Sequence, residues 1–365
     1  MKIEKLRGRL ASMNDPRRTK CGNIRHKLED IVIIGLCCII CGGEDFVDME
    51  EFGKEREGFL RKFLELPSGI PDSDTFRRFF ERLDPQELSE CLVNWLLEEF
   101  PARCTIAIDG KTIRGSANKN HKAYHVVSAF VTENQITLGE ICVDEKSNEI
   151  TAVPELLDLL NIEDTIVTAD AMSCQKAIVE KIILKNADYV IGLKSNQRSL
   201  HDFAKKILVE NTNNCPVFET TQRRSGQTET RKYYLETNVA GFSKIKGWQG
   251  LKALGKVVRE TENANEIKQE IRYFITSLTD LNDFADAVRK HWTIENNLHW
   301  SLDVIFREDS SRAKKDNSPL NLNVLRKTAL SLLAKAKFGR LIKKKLMFKA
   351  SLNPDVLLNI LLSYS

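Results

Sequence analysis

After Pro101 the sequence leaves a helical rhythm and falls into short β-rich runs that later alternate with helical ones, and no other feature narrows the choice of folds so far. TIAID, HVVSAFVTE and QITLGEICVD come first, separated by turn residues such as Glu133 and Asn134, and this close spacing predicts an antiparallel meander. The helical stretch AVPELLDLL follows, then TIVTAD as a strand, CQKAIVEKIILKN as a helix and DYVIGLK as a strand. Strands separated by helices pair in parallel, because the helix carries the chain back to start the next strand in the same direction. Three meandering strands followed by two alternating ones is the ribonuclease-H-like order; a generic α/β sheet is the other reading.

The flanking segments differ. Residues 26–100 are helical in period, with Ser73 or Asp74 as an N-cap and Phe76, Phe79 and Phe80 at helical spacing, so a helical domain over 1–100 is expected, with its aromatics in the core. The α/β core then begins at 101 and runs to 198. From 199 to 281 the alternation breaks into VFETTQ, TRKYYLETNV, KALGKVVRETE and IKQEIRYFITSL, an inserted, mostly β unit. The core resumes over 282–365 with a long helix, DFADAVRKHWTIENNLHWSLDVIF, a loop containing Asp309, Asn317 and Pro319, and a basic helix around LRKTALSLLAKAKF.

Charge is informative by its distribution. Lys plus Arg number 55 against 51 acids, nearly neutral, but Met1–Asp30 holds nine basic residues and four acids, and Arg326–Lys349 holds nine and none. Both ends therefore carry positive potential that suits a polyanion. Leu325, Ala329, Leu332 and Leu333 give the second stretch an apolar side to dock, which leaves its cations, Lys343, Lys344 and Lys345 among them, to reach phosphates. The nine cysteines are odd in number and set in apolar surroundings, as in a reducing compartment. Cys38 and Cys41 form a CxxC without a second pair, so a buried helix fits better than a zinc site. The apolar run IVIIGLCCIIC is too short to cross a bilayer, and a cytoplasmic protein is expected.

Two acids stand out. Asp109 ends TIAID and Asp170 ends TIVTAD, so two strands deliver a carboxylate at equivalent ends, where ligands gather in open α/β sheets. Asp188, at the start of its strand, reads as a cap. Lys111 and Arg114, directly after Asp109, are the cations nearest to it in sequence. On the late helix His291, Glu295, His299 and Asp303 follow at spacing four, beside an apolar stripe of Ile294, Leu298, Leu302 and Ile305 that puts Glu295 at the border of core and water. A zinc site on His291, Glu295 and His299 is disfavoured, because no HExxH occurs and ligands spread over two helical turns converge poorly.

GIPDSDTFRRFFERLDP, AIDGKTIRGS, VPELLDLL, VTADAMSCQ, ADYVIGLKSNQ, HWTIENNLHWSLDVIFREDSSR and NLNVLRKTALSLL together resemble an insertion-sequence transposase of the H-repeat-associated kind, within the DDE transposases. The resemblance spans most of the chain. It implies a ribonuclease-H-like catalytic core with a β-rich insertion between Asp170 and Glu295, preceded by an N-terminal helical domain for DNA-end recognition or assembly. It implies Asp109, Asp170 and Glu295 as the catalytic triad and ligands of Mg²⁺, with Mn²⁺ as a substitute, and cleavage of element ends followed by strand transfer. Double-stranded DNA and a second copy of the chain, at least a dimer, are the implied partners. Lys111 and Arg114 are then expected to face the DNA backbone, with Lys194, Asn296, His299, Lys343, Lys344 and Lys345 as further DNA contacts. Some positions depart from the wider class: Val288 and His291 stand where Tyr and Arg are usual, Leu302 where Lys is, and Ser225 and Gln227 break a His-Gly-Arg run. A transposase-derived DNA-binding protein without activity and a nuclease that cuts without joining are the alternatives.

Overall fold

The computed structural model describes residues 2–17, 24–97, 103–119, 121–143, 149–210, 216–224, 227–239, 243–263, 266–339 and 341–363. Ser225 lies outside the described residues, as do Arg18, Lys20 and Arg340 of the two basic runs and Cys21 and Cys215 among the nine cysteines. Six helices come first: α1 (Lys2–Ala11), α2 (Leu28–Ile40), α3 (Phe46–Glu55), α4 (Glu57–Leu60), α5 (Ser73–Arg82) and α6 (Pro85–Leu96). Strands β1 (Thr105–Thr112), β2 (His125–Val131) and β3 (Ile136–Val143) follow, then α7 (Glu149–Leu159), β4 (Ile166–Ala169), α8 (Lys176–Leu184) and β5 (Asp188–Leu193). The expected insertion opens with a helix, α9 (Arg198–Glu210), before β6 (Val217–Arg224), β7 (Gln227–Glu236), β8 (Ala253–Asn263) and β9 (Glu266–Thr276). Helices α10 (Leu281–Thr293), α11 (Ser318–Lys335), α12 (Lys343–Leu352) and α13 (Pro354–Leu361) complete the chain. The fold is mixed α/β with the ribonuclease-H-like order of elements after an N-terminal helical region.

Two compact units divide the chain, and their bounds are not those of the sequence segments. One comprises 1–100, 111–145 and 295–365. Its helices start where acids cap them: Asp45 forms a capping box on α3, Asp72 rather than Ser73 or Asp74 caps α5 through Thr75 N, and Asp84 caps α6 ahead of Pro85. All of α2 is buried, with Cys37 and Cys38 as free thiols, so the CxxC belongs to a packing helix. Phe76, Phe79 and Phe80 are fully buried beside it. Helix α11 packs against α2, α5 and α6 and contacts β3, which pairs with β2 as an antiparallel hairpin. The basic C-terminal helix is thus central to this unit's core.

The other unit comprises 101–110 and 146–294. Its strands lie in the order β1-β4-β5-β9-β8-β7-β6, parallel from β1 to β5 and antiparallel onward. Because β9 pairs with β5, the insertion extends the sheet directly. Helix α10, capped by Asp280, buries Phe284, Ala285, Ala287 and Val288 against Tyr233, Leu235 and Val257. Among the described residues no helix is long and apolar enough to cross a membrane.

Candidate active site

Strands β1 and β4 run in parallel register from Thr105↔Ile166 to Ile108↔Ala169. The next residue on each is an aspartate, so Asp109 and Asp170 stand at adjoining positions; Asp170 follows the end of β4 as expected, whereas β1 runs on through Thr112 instead of ending at Asp109. Backbone N–H groups fix both. Gly110 N donates to Asp109 Oδ1 at 2.9 Å, and Met172 N and Ser173 N donate to Asp170 Oδ1 at 2.9 and 3.3 Å, which makes Asp170 the cap of a short 3₁₀ turn. That turn rests on β5, where a Cβ on Gly192 would stand 3.1 Å from Ala171 N. Asn196 Nδ2 donates to Ala171 O at 2.6 Å and Gln197 Nε2 to Cys174 O at 2.9 Å, a support the sequence reading missed although SNQ directly follows the strand. Lys194 ends the same segment, exposed. Asp188 accepts from Ser277 Oγ at 2.6 Å and is structural, as its position at a strand start indicated.

Helix α10 is tied to β4 near Asp170. His291 Nδ1 lies 3.1 Å from Thr168 Oγ1, and burial, with help from Arg272, pushes the imidazole pKa down to about 4, so the ring is neutral at physiological pH. Arg272 also sits 4.4 Å over the Trp292 ring. At the position where the wider class has Arg, this chain therefore has a packing histidine, and Val288 in place of Tyr is in the core. The helix continues past Thr293 as expected, but in π turns, Ile294–His299 and Ser301–Ile305. Such turns re-aim side chains and are frequent at functional sites. Ile294, Leu298 and Leu302 are buried while Glu295 and Asn296 are exposed, which is the border the sequence predicted.

Lys111 requires a correction. Instead of facing DNA it is partly buried, with Nζ 2.8 Å from both Glu308 and Asp303. Glu308 is 0 % exposed and also accepts from Asn323 Nδ2 at 2.6 Å, with Arg326 at 3.9 Å. Burial alone would lower the Lys111 pKa, yet Glu308 and Asp303 outweigh it and the net direction is up. A charge this deep is stable only with such partners. The loop carrying Glu308 fits closely, since a Cβ on Gly115 would stand 2.6 Å from Glu308 O. His299 is partly buried near Lys111, Lys327 and Glu308, its pKa lowered to about 3 first by burial. Arg114 is 81 % exposed, with Asp309 at 3.9 Å.

The basic C-terminal run divides in two. Arg326 and Lys327, expected at phosphates, are buried, and Lys327 Nζ bonds Ser128 Oγ at 3.0 Å and the Glu140 carboxylate. Lys343 is half-buried, 3.2 Å from Gln135 Oε1, whereas Lys344, Lys345 and Lys349 on α12 are exposed. In the N-terminal arm Arg17 is held by Asp15 and lies over the Phe79 ring, and Lys27 pairs with Glu65.

Among the described residues no group of three His, Cys, Asp or Glu could hold a metal ion. Asp109 and Asp170 nonetheless suit Mg²⁺, a hard ion that is commonly held by one or two carboxylates and completes its shell with water and substrate phosphates. Residues 100–332 match the family described as Transposase DDE domain, and residues 8–96 match the DDE_Tnp_1-associated family. The chain belongs to the DDE transposases. It is 37% identical to "Putative transposase YncI" of Escherichia coli O157:H7, covering 100% of this chain and 96% of that protein. To "H repeat-associated putative transposase YhhI" of Escherichia coli K12 the identity is 35%, over 99% and 98% of the two chains. A solved structure of the piggyBac transposase synaptic complex with hairpin DNA aligns with 98% of this DDE transposase and 80% of its own chain, at TM-score 0.42 and 10% identity.

Proposed function

We propose that this DDE transposase cuts double-stranded DNA at the ends of an insertion element and joins the freed 3′-hydroxyl to target DNA, with Asp109, Asp170 and Glu295 as its catalytic carboxylates. The observation that carries the reading is the β1–β4 register, which gives neighbouring strands an aspartate each at the same level. Glu295 enters as the exposed acid one turn beyond the His291–Thr168 anchor. When bound, a pair of Mg²⁺ ions supplies an activated oxygen nucleophile and offsets charge on the leaving oxygen in an in-line displacement. The chain's own residues do the positioning. Backbone N–H groups orient the Asp109 and Asp170 carboxylates, Asn196 and Gln197 brace the turn behind Asp170, and Lys111 with Glu308 braces the end of β1. Arg114, Lys194, Asn296, Lys344 and Lys345 are exposed and suit phosphate contacts, which position DNA without reading its sequence. The region 1–100 serves end recognition or assembly, and the buried free thiols suit a reducing cytoplasm.

The test is incubation of the purified protein with DNA carrying its element ends, Mg²⁺ and a supercoiled plasmid. Strand-transfer products support the reading, simple nicks make the protein a nuclease, and binding without cleavage makes it a DNA-binding derivative. Asp109→Asn, Asp170→Asn and Glu295→Gln each abolish cleavage and keep end binding, because each removes a ligand charge and little volume. Loss of binding as severe as the loss of activity argues against the assignment.

A further inference from the structure

The sheet of the second unit ends on an open edge. Strand β6 is last in the order, pairs with β7 without a register shift from Val217↔Tyr234 to Arg224↔Gln227, and among the described residues no strand pairs with its outer side. Edge strands of this length usually carry proline, lysine or a bulge that prevents further pairing. VFETTQRR has no Pro and its ladder has no bulge, and the charges it does carry are of both signs, Glu219 against Arg223 and Arg224. Phe218 packs with Tyr233 toward the α10 side. Val217, Glu219, Thr221 and Arg223 point the other way and are all exposed.

The sequence of this edge is complementary to itself. Residues opposed in an antiparallel pair turn their backbone groups the same way, so two copies of β6 related by a two-fold axis must be centred on a residue, not between two. Centred on Thr221, Glu219 of each copy opposes Arg223 of the other, and Thr220 opposes Gln222. Centred on Thr220, Glu219 opposes Thr221 and Arg223 opposes Val217, which leaves both charges unmatched. Centred on Glu219, like charges meet. We infer that β6 pairs antiparallel with β6 of a second copy of this chain, about a two-fold axis at Thr221, joining two β meanders into one sheet. The exposed face then carries two Glu219–Arg223 pairs across the dyad, and the backbone groups of both edges are satisfied.

This pairing stands apart from the carboxylate chemistry, because none of its residues lies at Asp109, Asp170 or Glu295. Sedimentation equilibrium of the full chain without DNA, across the micromolar range, should show a monomer–dimer equilibrium. Glu219→Arg turns two attractions into two repulsions and should weaken the dimer roughly tenfold or more, and adding Arg223→Glu should restore it. With Cys142→Ser and Cys215→Ser as background, Thr221→Cys should form an intermolecular disulfide on oxidation and Thr220→Cys should not, since opposed Cα atoms on the dyad lie about 4.5–5.5 Å apart, within disulfide reach. A wild-type monomer, a Glu219→Arg dimer as tight as wild type, or cross-linking through position 220 in preference to 221 would overturn the pairing. Circular dichroism confirms that each variant is folded, so loss of the dimer is read as loss of the interface.

Discussion

Glu308 sits at 0 % exposure between a lysine with which it makes a close bond and an arginine at 3.9 Å. Burial pushes its carboxyl pKa up, but Lys111 and Arg326 outweigh that and hold it below the ordinary carboxylate value. The two cations respond in opposite directions: Lys111, with carboxylates at 2.8 Å, is raised, and Arg326, whose burial dominates, is lowered. The Lys111 pair is the closer of the two, at 2.8 Å against 3.9 Å. Removing one partner of a buried pair leaves an uncompensated charge, so Glu308→Ala should cost about 3–5 kcal/mol in urea unfolding, and a loss under 1 kcal/mol would mean water reaches the site. His291 gives a prediction with a defined pH window. Its folded pKa of about 4 lies below the ordinary 6.5, so the unfolded chain binds the extra proton. The contribution is complete above pH 6.5 and falls as pH drops toward 4, at a slope approaching about 1.4 kcal/mol per pH unit. His291→Gln should have a shallower slope than wild type in that window, and equal slopes would show that the ring is protonated in the fold.

At the scale of elements, β8 meets α10 through a glycine. A Cβ on Gly255 would stand 2.3 Å from Phe284 Cζ, and this close approach, rather than any unusual backbone angle, requires glycine. Gly255→Ala should therefore cost about 1–3 kcal/mol through overpacking and lower the melting temperature, with Phe284→Leu in the same chain recovering part of the loss; an unaffected melting temperature would show that the ring swings aside freely. Apart from α9, which opens the segment read as β, the strands and helices after Pro101 were legible in the sequence because their periods switch cleanly from 2 to 3.6, and the positions of Asp109 and Asp170 beside one another were legible because each breaks an apolar run. Helix α11 was not. Its Arg326 and Lys327 read as surface charge, since the carboxylates that receive them, Glu308 and Glu140, lie far away along the chain and no local window displays them. The same reason hid the fate of Lys111. The open edge of β6 escaped as well, because the outermost strand of a sheet is a property of strand order, and VFETTQ reads alike at an edge and in the middle.

The whole molecule carries a formal charge of only +4, so binding to DNA depends on where cations are exposed rather than on net charge. Burial of Arg326 and Lys327 narrows the C-terminal set to α12 and its approach. Lys343 is half-buried beside Gln135, and burial lowers its pKa, while Lys344 and Lys345 are open to solvent. Each phosphate contact made by a cation releases counterions and contributes about 0.9 to the slope of log affinity against log salt. Replacing Lys344 and Lys345 together with Gln should therefore reduce that slope by roughly 2 and weaken binding to element ends and to random DNA by the same factor, because phosphate contacts carry no base information. Adding Lys343→Gln to that pair should change the slope by less than either exposed lysine does, and should instead lower thermal stability slightly through the lost Gln135 contact. Fluorescence anisotropy over a salt titration on both DNAs measures all of these. An unchanged slope in the double variant would remove α12 from the DNA-binding surface, and a selective loss for element ends would make it a reader of sequence.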